Sequence, residues 1–258
     1  MPKPYTILQI SSVVIKNDET EVKDMSQCSL LTQLREWSLR DPGLSELGFE
    51  QCKELREKLQ TVLTGRLAAQ LVLVSPMTRT LQTAVASLDW LVATGVPIQA
   101  HAGWQETTDH PCDVGVPIAE VSARFPGVDF SHVDPVWPEK TTPEARLYAY
   151  TRRDLVTRAQ TVLAELYARP ESVVVVVSHS AFLSKAVSGS MYANADFRIF
   201  SFEEPVSPEA APEAAALSKD ELPLLMYRLR EWDETRQSHG GMGWSLDRVR
   251  NIGDELDI

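Results

Sequence analysis

The sequence is poor in three features that mark particular classes of protein. Its three cysteines, Cys28, Cys52 and Cys112, are odd in number and form no Cys-x-x-Cys pair, which argues against a disulfide framework and a zinc knuckle. Basic residues are outnumbered by acidic ones, 25 to 36, and the net charge of -11 argues against a nucleic acid partner. No ligand-like spacing of His, Cys and carboxylate residues occurs around a strand end, so we expect neither a metal site nor a cofactor.

Long apolar segments are also missing. The stretch Tyr5 to Ile15 is interrupted by Gln9, Ser11 and Ser12, is too short to span a bilayer and lacks the cleavage-site pattern of a signal peptide. We therefore expect a cytoplasmic protein with no membrane partner.

Two short runs have the apolar density of strands that are buried on both faces. These are Leu71 to Val74 and the five valines Val173 to Val177. Each run ends at a serine and is followed by a helical stretch, Thr80 to Val92 in the first case and Ala181 to Ser188 in the second. Strand, small polar turn and helix form the repeating unit of a parallel sheet.

The remaining elements complete an α/β pattern. Further strands are predicted at Tyr5 to Val14 and Pro97 to Ala100, and further helices at Ser45 to Leu63, with Ser45 as cap and Gly65 as stop, and at Pro143 to Ala168. We predict an α/β fold, a three-layer α/β/α sandwich with a mostly parallel central sheet, over residues 1–202. Residues 203–258 are predicted to pack on the same domain as a Pro/Ala/Glu-rich excursion and a polar tail, with an amphipathic segment at Leu224 to Trp232.

Four motifs in this order resemble the histidine phosphatase (phosphoglycerate mutase-like) superfamily. They are DPGLSELGFEQC at residues 41–52, SPMTRTLQT at 75–83, WQE at 104–106 with PCDVG at 111–115, and VSHS at 177–180. A single one of these motifs is weak, but the ordered set is a strong indication of the fold. The resemblance covers roughly Thr6 to Phe202.

The resemblance implies a site that handles anions. Arg79 and His179 correspond to family residues that bind phosphoryl oxygens, and Glu106 corresponds to the acid that protonates the leaving oxygen. Considered singly, His179 could be a satisfied buried histidine, Arg79 an exposed residue of a helix start and Glu106 a solvated loop carboxylate. The position of His179 at the carboxyl end of a strand and the accompanying motifs favour the functional interpretation.

The first strand departs from the family pattern. Ser11 and Ser12 stand where the family has an Arg-His pair, Asn17 stands near a position that often carries another polar ligand, and no histidine precedes His101. We expect Ser11, Ser12 and Asn17 to contact the substrate, although serines such as Ser11 and Ser12 are more often neutral residues of a strand end than nucleophiles. A serine hydroxyl is a poor nucleophile without a base, so a phosphohistidine mechanism is not expected.

Three functions follow from this pattern. The first is a non-phosphatase enzyme of the lyase, dehydratase, isomerase or cyclase type that acts in the biosynthesis of a specialised metabolite. In this enzyme Glu106 and His179 are catalytic, and Arg79 binds an anionic or carbonyl-bearing small molecule. The second is a residual phosphatase that uses Ser12 or an activated water. The third is a catalytically silent ligand-binding protein. The expected partner is a small-molecule substrate, and a homodimer is compatible with the sequence.

Overall fold

The architecture is an open six-stranded sheet with helices on both faces. It is seen in a computed structural model that describes residues 6–11, 38–64, 67–206 and 225–253. No helix in these ranges is long and apolar enough to cross a lipid bilayer.

Strands and helices alternate through most of the chain. The strands are β1 (Thr6–Ser11), β2 (Leu71–Val74), β3 (Ile98–Ala100), β4 (Val173–Ser178), β5 (Phe197–Phe202) and β6 (Leu229–Glu231). The α-helices are α1 (Glu46–Val62), α2 (Thr78–Ala93), α3 (Ile118–Arg124), α4 (Arg152–Ala168), α5 (Ser180–Phe182) and α6 (Asp233–Arg236). Short 3-10 helices lie at Ala102–Trp104, Pro111–Asp113 and Pro143–Tyr148, and α5 continues into a π-helical turn at Leu183–Val187.

The strand order in the sheet is β3-β2-β4-β1-β5-β6. The first four strands of the chain are parallel to one another, and β5 and β6 run antiparallel at one side. In this register Ser11 lies beside Ser178 and Val74 beside Val177, so the carboxyl ends of β1, β2 and β4 form one edge.

Alternate residues of each central strand face two different cores. On one face, Val175 and Val177 pack with Cys52, Leu55 and Leu59 of α1 and with side chains of α2. On the other face, Val174 and Val176 pack with α4 and with Phe182. This arrangement confirms the predicted three-layer α/β/α sandwich and explains the valine run, because β4 is covered by helices on both sides.

Most predicted elements are confirmed with small shifts of their ends. Ser45 caps α1 by accepting a hydrogen bond from the Gly48 N–H at 3.1 Å, as predicted. The predicted stop at Gly65 lies outside the described residues.

One element prediction is wrong. The single helix predicted over Pro143 to Ala168 is divided, because Thr151 caps a new helix by accepting from the Asp154 N–H at 3.1 Å. The amphipathic segment predicted at Leu224 to Trp232 contains strand β6, whose backbone pairs with β5; Leu224 itself lies outside the described residues.

The carboxylate of Asp196 ties the carboxyl-terminal segment to the sheet. It accepts hydrogen bonds from the N–H groups of Phe197 at 2.7 Å, Met242 at 2.8 Å and Ser245 at 3.0 Å, and from the Ser245 hydroxyl at 2.6 Å. Asp196 is fully buried, so these donors replace the water that its charge has lost. The segment around residues 240–245 is therefore held against the start of β5.

Asp196→Asn should destabilise the protein, because an amide of the same shape offers one neutral acceptor where five donors converge, the fifth being the Trp244 N–H at 3.3 Å. Loss of charged hydrogen bonds predicts a fall of about 2 kcal/mol in the free energy of unfolding, measured by urea denaturation. Asp247→Asn, at an exposed position of the same segment, is the matched control and should leave stability unchanged. Equal stability of the two variants would contradict the structural role of Asp196.

Candidate functional site

The candidate site lies at the carboxyl edge of the parallel strands. Ser75 follows β2, His179 follows β4, and Ser11 ends β1. Asp41 of the first motif caps α2, accepting from the Thr78 N–H at 2.9 Å and the Thr78 hydroxyl at 2.8 Å. This contact fixes the start of the helix that carries Arg79, which explains why the first two motifs occur together.

His179 is buried directly behind the end of β4. Its Nε2 lies 2.9 Å from the Ser75 hydroxyl oxygen, and among the described residues its Nδ1 has no hydrogen-bond partner. Burial lowers the pKa of His179 well below its usual value, and the positive charges of Arg79, Lys140 and Arg158 lower it further. The imidazole is therefore neutral at physiological pH.

Arg79 points from the first turn of α2 to the loop that carries the acidic residues. Its Nη1 donates to the Cys112 carbonyl at 2.7 Å, and its Nη2 donates to Asp113 at 3.2 Å. The other oxygen of Asp113 accepts from the Thr108 hydroxyl at 2.6 Å. These bonds use two of the five N–H donors of the guanidinium.

Glu106 is partly buried in the same loop. Its Oε1 accepts from the N–H groups of Thr107 at 2.8 Å and Phe182 at 3.2 Å, so the carboxyl group contacts the first turn after His179. Burial raises the pKa of Glu106 and the Asp113 charge raises it further, whereas Arg79, the Thr107 N–H and Lys140 oppose these effects. A carboxyl group in such surroundings can hold a proton that an exposed one would lose.

Two buried cations lie beneath the acidic loop. Lys140 Nζ donates to the carbonyls of Glu106 at 2.9 Å and Thr108 at 2.6 Å. Arg158 Nη2 donates to the carbonyls of Gln105 at 3.0 Å and Glu106 at 3.3 Å, and its guanidinium lies 4.1 Å from the centre of the Phe182 ring. Burial lowers the pKa of Lys140 to about 7 and that of Arg158 to about 10.

The structure thus brings Arg79, Glu106 and His179 into one charged region, together with groups that the motifs did not single out. Arg158 had a signal in the sequence, since it lies between Leu155 and Ala159 on the buried face of α4, where an apolar residue is expected. Lys140 lies outside any regular element, and nothing in its sequence neighbourhood indicates burial.

The other predicted site residues are less informative. Ser11 is fully buried beside Ser178, and its backbone carbonyl accepts from the Ala195 N–H at 3.1 Å. Ser12 and Asn17 lie outside the described residues, so their contact with a substrate stays a prediction. In the described part of the chain, no group of three or more His, Cys, Asp and Glu side chains could hold a metal ion.

Comparison with known protein families matches this chain to one of them. The sequence profile of the histidine phosphatase superfamily (branch 1) matches residues 33–201, more than half of the chain. The chain belongs to the histidine phosphatase superfamily.

Two curated proteins are similar to this chain over part of its length. A probable phosphatase of Schizosaccharomyces pombe is 32% identical over 143 residues, which cover 54% of this chain and 62% of that protein. A phosphoglycerate mutase-like protein of Arabidopsis thaliana is 31% identical over 179 residues, which cover 57% and 63% of the two chains. The match spans about three fifths of the length of these curated relatives.

A solved structure supports the fold alone. The crystal structure of the ecdysone phosphate phosphatase from Bombix mori, in complex with tungstate, is 15% identical and has a TM-score of 0.50. It covers 84% of this chain and 97% of that one, so the histidine phosphatase fold extends over most of the described residues.

Glu106→Gln should stabilise the protein at neutral pH. The folded state holds the Glu106 proton more tightly than the unfolded state, so the free energy of unfolding decreases as pH rises above the usual value of 4.5. Glutamine keeps an acceptor for Thr107 and Phe182 and does not ionise. The gain over wild type should be absent at pH 4 and should grow with pH, by at most about 1.4 kcal/mol per pH unit, until the raised pKa is passed.

Urea unfolding of both proteins across this pH range measures the difference. Glu57→Gln, at an exposed position of α1, is the control and should give a difference that does not change with pH. A Glu106→Gln difference that is equally flat would show that the Glu106 carboxyl titrates normally.

Proposed function

We propose that the protein hydrolyses a phosphate monoester of a small organic molecule without a phosphohistidine intermediate. Arg79 and His179 bind oxygens of the phosphoryl group, and the Glu106 carboxyl protonates the leaving oxygen. The membership in the superfamily and the probable phosphatase among the relatives support this proposal over the lyase or isomerase that the motifs first suggested.

The observation that carries the proposal is the concentration of positive charge near His179 and the loop of Glu106. Lys140 and Arg158 are buried against the carbonyl of Glu106, and Arg79 reaches the same loop from the first turn of α2, in a protein whose net charge is -11. Cations and N–H donors placed in a region with little water stabilise the charge of a transferring phosphoryl group. The Glu106 carboxyl next to these cations can protonate the leaving oxygen, which an ester with a leaving group of high pKa requires.

The step can proceed by direct attack of water. The water oxygen forms a bond to phosphorus while the bond from phosphorus to the ester oxygen breaks. Glu106 gives its proton to the ester oxygen, and a proton of the attacking water restores the carboxyl group. The products are an alcohol and inorganic phosphate, and no histidine before His101 is needed.

Release of phosphate from p-nitrophenyl phosphate and a panel of alkyl phosphates tests the proposal. Arg79→Ala should lower kcat/KM by on the order of 10²- to 10³-fold, because it removes a charge that contacts the transferring group. Glu106→Gln should reduce turnover most for alkyl esters, whose leaving oxygen requires the proton. For wild type, kcat/KM should fall as pH rises through the raised pKa of Glu106, because the protonated carboxyl is the active form.

The controls separate this mechanism from a contaminant and from a phosphoenzyme. Arg56→Ala removes an arginine that pairs with Asp89 outside the site, and it should retain full activity. Intact-protein mass spectrometry during turnover should detect no covalent phosphate. No phosphate release at high enzyme concentration, or equal activity of Arg79→Ala and wild type, would contradict the proposal.

A second function is acid/base chemistry on a carbonyl-bearing small molecule, of the lyase, dehydratase, isomerase or cyclase type. The observation that favours it is the absence of any histidine before His101, combined with a carboxyl group whose pKa is raised. Incubation with a panel of small keto acids in D2O should then introduce deuterium next to the carbonyl, as followed by NMR, and Glu106→Gln should abolish the exchange. Exchange that persists in this variant, or none in wild type, would exclude this chemistry for the panel.

A further inference from the structure

A buried serine and a buried histidine form a close pair at the strand ends. The Ser75 hydroxyl oxygen and His179 Nε2 are 2.9 Å apart, and their residues are 0% and 1% exposed. The Ser75 carbonyl is engaged separately, since it accepts from the Thr80 hydroxyl at 2.8 Å, and the Ser75 N–H donates to the Val177 carbonyl at 3.0 Å. The Ser75 side chain is thus the part of this residue that forms a hydrogen bond with His179.

The direction of this hydrogen bond follows from what each atom can do. A neutral imidazole has one N–H and one lone pair, whereas a hydroxyl can donate and accept. Within the described residues, Nε2 is the single acceptor that the Ser75 hydroxyl contacts. If Nε2 carried the proton, the buried hydroxyl hydrogen would have no acceptor, which is unfavourable. The favourable arrangement has Ser75 donating to the lone pair of Nε2.

We propose that Ser75 is a positioning residue that keeps the proton of His179 on Nδ1, so that Nδ1–H donates a hydrogen bond to an anionic oxygen of the ligand. Nδ1 is buried, and no acceptor for it occurs among the described residues. A buried N–H without a partner is satisfied when a ligand oxygen arrives. The charge of Arg158, whose guanidinium lies 4.1 Å from the centre of the Phe182 ring three residues after His179, favours an anionic oxygen over a neutral one.

This arrangement has a consequence for the role of His179. The lone pair of Nε2 is occupied by Ser75, and Nδ1 already carries a proton, so neither nitrogen is free to remove one. His179 is then a donor to the ligand and not the acid/base residue that the motifs first suggested. The ligand part of this inference rests on the proposed phosphatase function; the tautomer part does not.

The test is long-range proton-nitrogen NMR of the full chain with nitrogen-15-labelled histidine. The signals of His179 are identified among those of the five histidines by their loss in His179→Gln. The chemical shifts of its two ring nitrogens then show which of them is protonated. We expect protonated Nδ1 and unprotonated Nε2 for His179. Ser75→Ala should shift the tautomer equilibrium of His179 toward protonated Nε2. Ser75→Thr keeps the hydroxyl and should retain the wild-type pattern.

The matched control is Ser87→Ala, which removes another fully buried serine hydroxyl, one that donates to the Cys52 carbonyl at 3.2 Å on α1. This variant should leave the His179 signals unchanged. Protonated Nε2 in wild type would overturn the proposal, and this measurement needs no variant of Ser75 to fold. An unchanged pattern in folded Ser75→Ala would also overturn it.

Inorganic phosphate is the probe for the ligand part. Its titration should shift the Nδ1 signal of wild type, and Arg79→Ala should lose this response. A Nδ1 signal that does not respond to saturating phosphate would overturn the ligand part. A response to phosphate in a protein that hydrolyses no phosphate ester would support this inference and reject the proposed function, so the two can fail separately.

Discussion

The carbonyl oxygen of Glu106 accepts hydrogen bonds from two buried cations, and the geometry of the site depends on this contact. Lys140 Nζ lies at 2.9 Å and Arg158 Nη2 at 3.3 Å from that oxygen. Burial of an ammonium and a guanidinium is unfavourable unless carbonyls, carboxylates or aromatic faces compensate it. The loop supplies those partners, and in return the two cations fix the backbone from which the Glu106 carboxyl projects toward the residues after β4.

The same burial creates the electrostatic character of the site. Burial lowers the pKa of His179, and the charges of Lys140 and Arg158 lower it further. Burial also raises the pKa of the Glu106 carboxyl in the same loop. A neutral imidazole and a carboxyl that holds its proton are the two states that an acid-assisted transfer of an anionic group requires. The charge state of the proposed catalytic groups therefore follows from the packing of α4 and the loop, and not from direct pairing between these groups.

The fold could be predicted from the sequence because its signals are local and repeated. The valine run of β4, the serine at each strand end and the Ser45 cap each indicate one element without help from the rest of the chain. The site could be predicted only in part. Arg79, Glu106 and His179 stand in motifs, whereas Lys140 reaches the Glu106 carbonyl across 34 residues and Arg158 across 52, distances over which a sequence pattern carries no contact information. The division of the helix predicted at Pro143 to Ala168 had a local signal, the Thr151 and Asp154 cap, that helical periodicity concealed.

The pairing of the strands places the serine at the end of β1 next to the candidate site. Ser11 lies beside Ser178, one residue before His179, so the carboxyl end of β1 is adjacent to the strand end that carries the imidazole. In the proposed function, a phosphoryl group at this edge would meet positive charge from Arg79 at the start of α2 and from Arg158 of α4, but no imidazole from the described residues of β1. Water is small enough to approach phosphorus from that side and needs no covalent enzyme intermediate. The proposed hydrolysis therefore needs no imidazole from β1, provided that the cations orient the phosphoryl group and the Glu106 carboxyl supplies the proton for the leaving oxygen.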